Sequence, residues 1–406
     1  MKLLYMNIPA QGHVNPSLPV VSELVRRGHH VVCYNGERFR QQIQATGAEF
    51  HPYHFDSELA PGADALTPFK AMPLILSKGE QVIERVLDEV RAIDPDAVIY
   101  DSMCVWGKQI AQILKRPAIC SCTIFFIATR NFDTMPFDKS WMRQVVLGFP
   151  RVFLWTAEYY RIAVRIWRRW GVGSPIPFDF FGNPGDLTIV YTSRYFQVGV
   201  NRLDESFRFV GPSVAPRIHD TEFPFARLDG APVIYVSLGT IFNNRPDFYR
   251  ACIGAFADSP YHVVMAVGNR FDTAELGQVP ENFIVRPSVP QLELLPRVNA
   301  FISHGGMNSV SESTWFGVPL VLFPQVGDQM MIARRVAQLG AGTLLDDNHI
   351  EARAIRSATE KILDDERFRK ASETIGESLR AAGGYERAVD EIEKFILHNQ
   401  NLDSHT

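Results

Sequence analysis

The sequence predicts an α/β protein of two Rossmann-like, doubly wound domains. Short apolar runs alternate with amphipathic helical stretches from one end of the chain to the other. At 406 residues the chain is longer than one core usually organises. A stretch rich in proline and glycine, Phe209 to Leu228 with Gly211, Pro212, Pro216 and Pro224, separates two such alternating series. The expected division is 1–208, a linker over 209–230, a second domain over 231–383, and a terminal helix over 384–406. In such sheets ligands sit beyond the carboxyl ends of the strands, here in a central cleft between the domains.

The first series opens with the buried-type strand Leu3 to Ile8, then Pro9-Ala10-Gln11-Gly12-His13. From Asn15 a helical pattern puts Leu18, Val21, Leu24 and Val25 on one face. His30 to Tyr34 follows as a second strand, which makes a βαβ unit, parallel by default. Its turn lacks Gly-x-Gly-x-x-Gly, which argues against a dinucleotide site there. Phe39 to Thr46 reads as helix and Glu49 to Tyr53 as strand. Pro61 to Pro73 reads as loop, Leu74 to Ile93 as a long amphipathic helix stopped by Asp94-Pro95, and Ala97 to Asp101 as a strand ending in a carboxylate. A helix over Gly107 to Leu114 and strands over Ala118 to Thr123 and Leu187 to Tyr191 complete this half.

Between them, Thr129 to Arg169 mixes aromatics, Trp141 to Trp170, with arginines. An arginine-flanked amphipathic helix suits a membrane surface. The preferred reading is that these aromatics cover the sheet and line a substrate cleft. The second series has strands at Val233 to Ser237, His262 to Val267, Asn282 to Val285, Ala300 to Ile302 and Pro319 to Phe323. Its helices start near Asp247, Leu292 and Asn308, and helices from Met330, Glu351, Arg367 and Arg387 finish the chain.

Composition narrows the function classes. Hydrophobic residues make up 46% and charged residues 21%, as in soluble globular proteins, and the net charge of −4 gives no basic face for nucleic acid. The five cysteines are few, odd in number and set in apolar runs, as in a reducing cytoplasm. Cys120 and Cys122 share a strand face but have no Cys or His at metal-ligand spacing. The first apolar run is too short for a signal peptide, and no run reaches membrane-spanning length. A cytoplasmic protein with small-molecule partners and no membrane insertion is expected.

Several polar groups fall at strand ends. A histidine held by a carboxylate makes a general base, so His13 with Asp101 is one candidate pair. The alternative has His13 as a polar helix-start residue and Asp101 as a cap, and the residues alone leave the two level. The glycine turn Gly305-Gly306 before a helix aims unpaired N–H groups at whatever lies there, which suits a diphosphate without any metal. His304 and the N–H groups of Gly306, Asn308 and Ser309 are its donors. Ser309-x-x-Glu312 also fits a capping box, and Asp328 a helix cap, so both acids have structural readings beside ligand-binding ones. Asp94-Pro95-Asp96 matches an Asp-x-Asp metal motif but precedes its strand and reads better as a turn.

Pro9 to Pro16, Asp101, Ser237-Leu238-Gly239-Thr240, Val289-Pro290-Gln291 and Ser303 to Ser309 with Glu312 and Pro324 to Gln329 are together distinctive. In this order the chain resembles the family 1 glycosyltransferases of GT-B fold, most closely the bacterial macrolide-glycosyltransferase-like branch. The resemblance implies an inverting, metal-independent transfer from a nucleoside diphosphate sugar, such as UDP-glucose, to a hydrophobic hydroxylated natural product. It implies an acceptor-binding first domain, a donor-binding second domain and a terminal helix that packs back on the first. His13 would be the base and Asp101 its partner. Gly12, Ser237, Thr240, Ser288, Val289, Gln291, His304, Gly306, Asn308, Ser309, Glu312, Asp328 and Gln329 would bind the donor, with Glu312 on ribose and Asp328 and Gln329 on the sugar. Many relatives stack a tryptophan on uracil where this chain has Ser288, which loosens the choice between uridine and thymidine. Nucleotide-sugar epimerisation and non-catalytic nucleotide-sugar binding are the competing functions; the His13–Asp101 pair weighs against the second.

Overall fold

The computed structural model describes residues 1–53, 67–126, 143, 145–176, 180, 182–217, 222–269, 271–325, 327–345 and 350–403. The expectations for Trp141 and for 61–66 lie outside them. The chain forms two compact units, Met1–Val214 with Ala382–Thr406, and Ala215–Ala381. No helix among the described residues is long and apolar enough to cross a membrane.

The first unit is built on a seven-stranded parallel sheet in the order β3-β2-β1-β4-β5-β6-β7. The strands are β1 (Lys2–Met6), β2 (His30–Asn35), β3 (Glu49–Pro52), β4 (Ala97–Asp101), β5 (Ala118–Cys122), β6 (Leu187–Val190) and β7 (Phe207–Phe209). Central strands buried on both faces need apolar residues at every position, which is why β1 and β4 read as continuous hydrophobic runs. Alternate residues feed different cores. Leu4, Met6, Val98 and Tyr100 join helices α3 (Thr67–Ile93), α4 (Val105–Leu114) and α5 (Phe149–Trp170). Leu3, Tyr5, Ala97 and Ile99 join α1 (Gln11–Arg26) and the terminal helix, α12 (Gly384–Asp403). The short helix α2 (Arg40–Gln44), between β2 and β3 in the chain, adds Ile43 to the same core. Ala388, Val389, Ile392 and Ile396 anchor the terminal helix in that second core, and Arg27 ties it down through Asp390 and Glu393.

The second unit has six parallel strands in the order β10-β9-β8-β11-β12-β13. They are β8 (Val233–Ser237), β9 (His262–Ala266), β10 (Phe283–Arg286), β11 (Ala300–Ser303), β12 (Leu320–Leu322) and β13 (Gly342–Leu344). Its helices are α6 (Pro246–Phe256), α7 (Gln291–Leu294), α8 (Met307–Trp315), α9 (Gly327–Gln338), α10 (Ala352–Asp364) and α11 (Glu366–Ala381). Six strands of each sheet therefore follow the 3-2-1-4-5-6 order of a Rossmann sheet, with its direction reversing between β1 and β4 and between β8 and β11.

Four local expectations are corrected. The first helix begins at Gln11, not Asn15, so His13 lies in its first turn. Pro16 and Pro19 withhold N–H groups from that helix, while the side chains of Asn7 and Ser17 donate to the carbonyls of His13 and Val14. The segment read as loop up to Pro73 is helical from Thr67. Burial of Ala71, Met72, Ile75 and Leu76 around Pro73 outweighs the lost hydrogen bond. Strand β7, not expected from the sequence, runs into the stretch read as linker at Phe209. Strand β13 was hidden by its brevity and by Gly342, where any Cβ would press on the Leu320 carbonyl.

Candidate active site

Both sheets place polar groups at their order reversals. In the first unit, β1 and β4 pair in register up to Met6 and Tyr100. The chain leaving β1 enters α1 and presents His13, and β4 ends on Asp101. His13 Nδ1 lies 2.7 Å from Asp101 Oδ2, with the carboxylate 1% exposed and the imidazole 15%. A carboxylate accepts, so the proton sits on Nδ1 and leaves Nε2 as the basic nitrogen. Asp101 Oδ1 accepts from the Met103 N–H at 2.9 Å, which shapes the turn before α4. Asp101 thus serves the turn and the histidine together; the N-cap of α4 is Cys104. Thr123 Oγ1 also lies 3.1 Å from His13 Nδ1. Thr123 was not singled out in the sequence, although its place just past β5 is the same strand-end signal that marks Asp101.

In the second unit Ser237 pairs with Ser303, and each strand then breaks into a glycine turn. Gly305 adopts φ 81°, a left-handed conformation that suits glycine. His304 stands between Gly239 and Gly306. A Cβ on Gly239 would meet the imidazole at 2.6 Å, and one on Gly306 would also overlap it. Burial pushes His304 down to about 4, slightly offset by the backbone of Ser237, so the ring is neutral at pH 7. The residue is partly buried, and Nδ1 has no hydrogen-bond partner among the described residues. Helix α8 starts directly behind, with Gly306 as N-cap and no side-chain cap bond. Its first-turn N–H groups, including those of Asn308 and Ser309, carry the positive end of the helix dipole.

The capping-box reading of Glu312 is therefore corrected: the helix begins too early for Ser309 to cap it. Glu312, 3% exposed, instead bonds Arg217 through Oε1 at 2.5 Å and accepts from Gln291 Nε2 on Oε2 at 2.7 Å. The Tyr235 hydroxyl in turn donates to Gln291 Oε1 at 3.0 Å. The structure thus joins Gln291 to Glu312 directly and flanks the pair with Arg217 and Tyr235, which sequence reasoning missed. Tyr235 looked like an ordinary strand aromatic, and Arg217 lies in a stretch without periodicity.

Asp328 and Gln329 fall in the first turn of α9, so Asp328 is not the cap of a helix from Met330. Gln329 Oε1 accepts from the Gln325 N–H at 2.9 Å and braces the preceding loop. Val289 is buried, whereas Thr240 and Ser288 are exposed. Gly12 lies beside His13 in the first unit. In the Asp-x-Asp turn, Asp94 pairs with Arg116 and Asp96 accepts from the Lys2 N–H.

A family model described as UDP-glucoronosyl and UDP-glucosyl transferase matches residues 225–377. The chain is 34% identical over 395 residues to a Bacillus subtilis (strain 168) protein called uncharacterized UDP-glucosyltransferase YojK, covering 96% of both. It is 32% identical to demethyllactenocin mycarosyltransferase of Streptomyces fradiae, covering 97% of this chain and 86% of that one. A solved structure, the glycotransferase of kitacinnamycin, superposes with a TM-score of 0.80 at 28% identity, covering 97% and 98%.

Proposed function

The chain belongs to the family of UDP-glucuronosyl and UDP-glucosyl transferases and is a glycosyltransferase, and we propose that it moves glucose from UDP-glucose to a hydroxyl of a hydrophobic natural product. A flavonoid or other polyphenol, or a macrolide, is the acceptor class; the second is in keeping with the names of two relatives, demethyllactenocin mycarosyltransferase and oleandomycin glycosyltransferase.

The observation that carries this reading is the His13–Asp101 hydrogen bond. His13 Nε2 takes the acceptor O–H proton as that oxygen attacks the anomeric carbon on the face opposite UDP. The new C–O bond forms, the bond to the diphosphate breaks with its electron pair on the leaving oxygen, and the configuration inverts. Asp101 holds the imidazole and supports the imidazolium. The His304 N–H and the α8 N–H groups receive the growing diphosphate charge, so the step needs no metal. Glu312 and Gln291 take the ribose, and Asp328 and Gln329 the sugar hydroxyls. Ser288 offers no ring to stack on the base, and recognition there rests on Val289 and the backbone.

Mass spectrometry of products from a panel of phenolic and macrolide acceptors, each with UDP-glucose, UDP-N-acetylglucosamine or a thymidine-diphosphate sugar, tests the proposal. Acceptors gaining one hexose from UDP-glucose support it. UDP-binding without any glycosylated product across the panel overturns it.

A further inference from the structure

Helix α5 turns an apolar ridge to solvent. Its inner face is Tyr159, Ile162 and Ile166, all in the core of the first unit. At about 100° per residue, Phe149, Phe153, Tyr160, Val164 and Trp167 fall within an arc of roughly 60°, on the side of the helix away from those three. They are 62%, 61%, 51%, 43% and 61% exposed. The ridge is about 27 Å long. Leu154 beside it and Val146 and Leu147 just before the helix are exposed as well. Contiguous exposed apolar surface of this kind marks an interaction site rather than ordinary surface. Of the aromatics expected to cover the sheet, Tyr159 is buried in this core and Trp170 packs against it, whereas those of the ridge are exposed.

The charge beside the ridge identifies its occupant. α5 carries five arginines (151, 161, 165, 168 and 169) against one acid, Glu158, in a chain of net charge −4. Arg165 and Arg169 are tied to Glu80 and Glu84 of α3, and Arg161 to Glu158. Arg161 and Arg168 border the ridge and are exposed. A second copy docking by a two-fold axis would set these arginines against themselves. A small acceptor needs a concave pocket, and the outer side of a helix is convex. An anionic lipid surface satisfies both features: aromatic and aliphatic side chains enter the boundary of headgroups and acyl chains, and guanidinium groups pair with phosphates.

We propose that α5 is a peripheral docking helix that lies in the plane of an anionic bilayer surface. This inference is independent of the acceptor reading above.

Co-sedimentation of the full chain with phosphatidylcholine vesicles, with and without phosphatidylglycerol, tests it. Binding should rise with phosphatidylglycerol and fall with added salt. Phe153→Ser with Trp167→Ser should lower the partition coefficient about tenfold or more. Arg161→Gln with Arg168→Gln should lower it only on the anionic vesicles. Melting curves and UDP binding should stay at wild-type values, because these side chains point away from both cores. Absence of wild-type binding at high lipid, or equal binding by the Phe153/Trp167 variant, overturns the proposal. So does a concentration-dependent dimer that this variant dissolves while vesicles bind neither protein.

Discussion

His13 Nδ1 is hydrogen-bonded to Asp101 Oδ2 at 2.7 Å, across the strand pair where the order of the first sheet reverses. The hydrogen bond fixes which nitrogen is basic, and its partner is almost fully buried. His13→Ala should lower kcat about 10²- to 10⁴-fold with UDP affinity unchanged, the range of a positioned general base. Asp101→Asn should also lower kcat strongly, because an amide can hold the opposite tautomer. Steady-state kinetics on a phenolic acceptor with calorimetric UDP titration checks both. Near-wild-type turnover of His13→Ala would remove the base assignment.

Glu312 links Arg217 and Gln291 inside the second unit. Removing Arg217 leaves a buried carboxylate without its cation, at a cost of about 1–3 kcal/mol. Arg217→Ala should therefore lower the melting temperature by several degrees, and adding Glu312→Gln should restore part of it. Glu312→Ala should raise the donor KM more than it lowers kcat. Calorimetric melts of the single and double variants decide the first point, since additive losses would mean the pair is uncoupled.

The low pKa of His304, about 4, has a stability consequence. The unfolded chain takes up this proton near pH 6.5, and the folded protein only near 4. Folding stability tied to His304 is therefore present above 6.5 and is lost as pH falls through the interval, on the order of 1–3 kcal/mol. His304→Asn should flatten the pH dependence of urea unfolding between pH 6.5 and 4. An unchanged slope would show that the ring protonates as easily in the folded state.

Gly306 matters for space rather than for backbone freedom, because its φ is −66°. A methyl there overlaps the His304 ring, so Gly306→Ala should weaken UDP binding by about tenfold or more while leaving the melting temperature within a few degrees. Calorimetric titration is the readout, and wild-type affinity would show that the ring moves aside freely.

Gly376 of α11 lies against the Thr314 carbonyl of α8, the helix whose start is proposed to hold the donor diphosphate. Gly376→Ala should separate the two helices and cost about 1–3 kcal/mol. Thermal melts check the cost, and UDP titration shows whether α8 shifts with it.

The sequence by itself determined the two parallel sheets, because β1, β4, β8 and β11 are apolar at nearly every position and only a sheet covered on both faces accepts that. It also determined the turn at Gly305 and Gly306, where local backbone chemistry suffices. It could not determine what Asp101, Glu312 and Asp328 bind, since a carboxylate near a helix start looks the same whether it caps or carries a ligand. Tertiary structure decided Asp101 and Glu312 through contacts between residues far apart in the chain. His13 meets Asp101 across 88 positions, and Arg217 meets Glu312 across 95. Periodicity reports which face of an element is buried; partners supplied by other strands and by an irregular segment leave no periodic trace. The same limit hid the ridge of α5, whose aromatics fit a covered face or an open one equally well until the helix was packed.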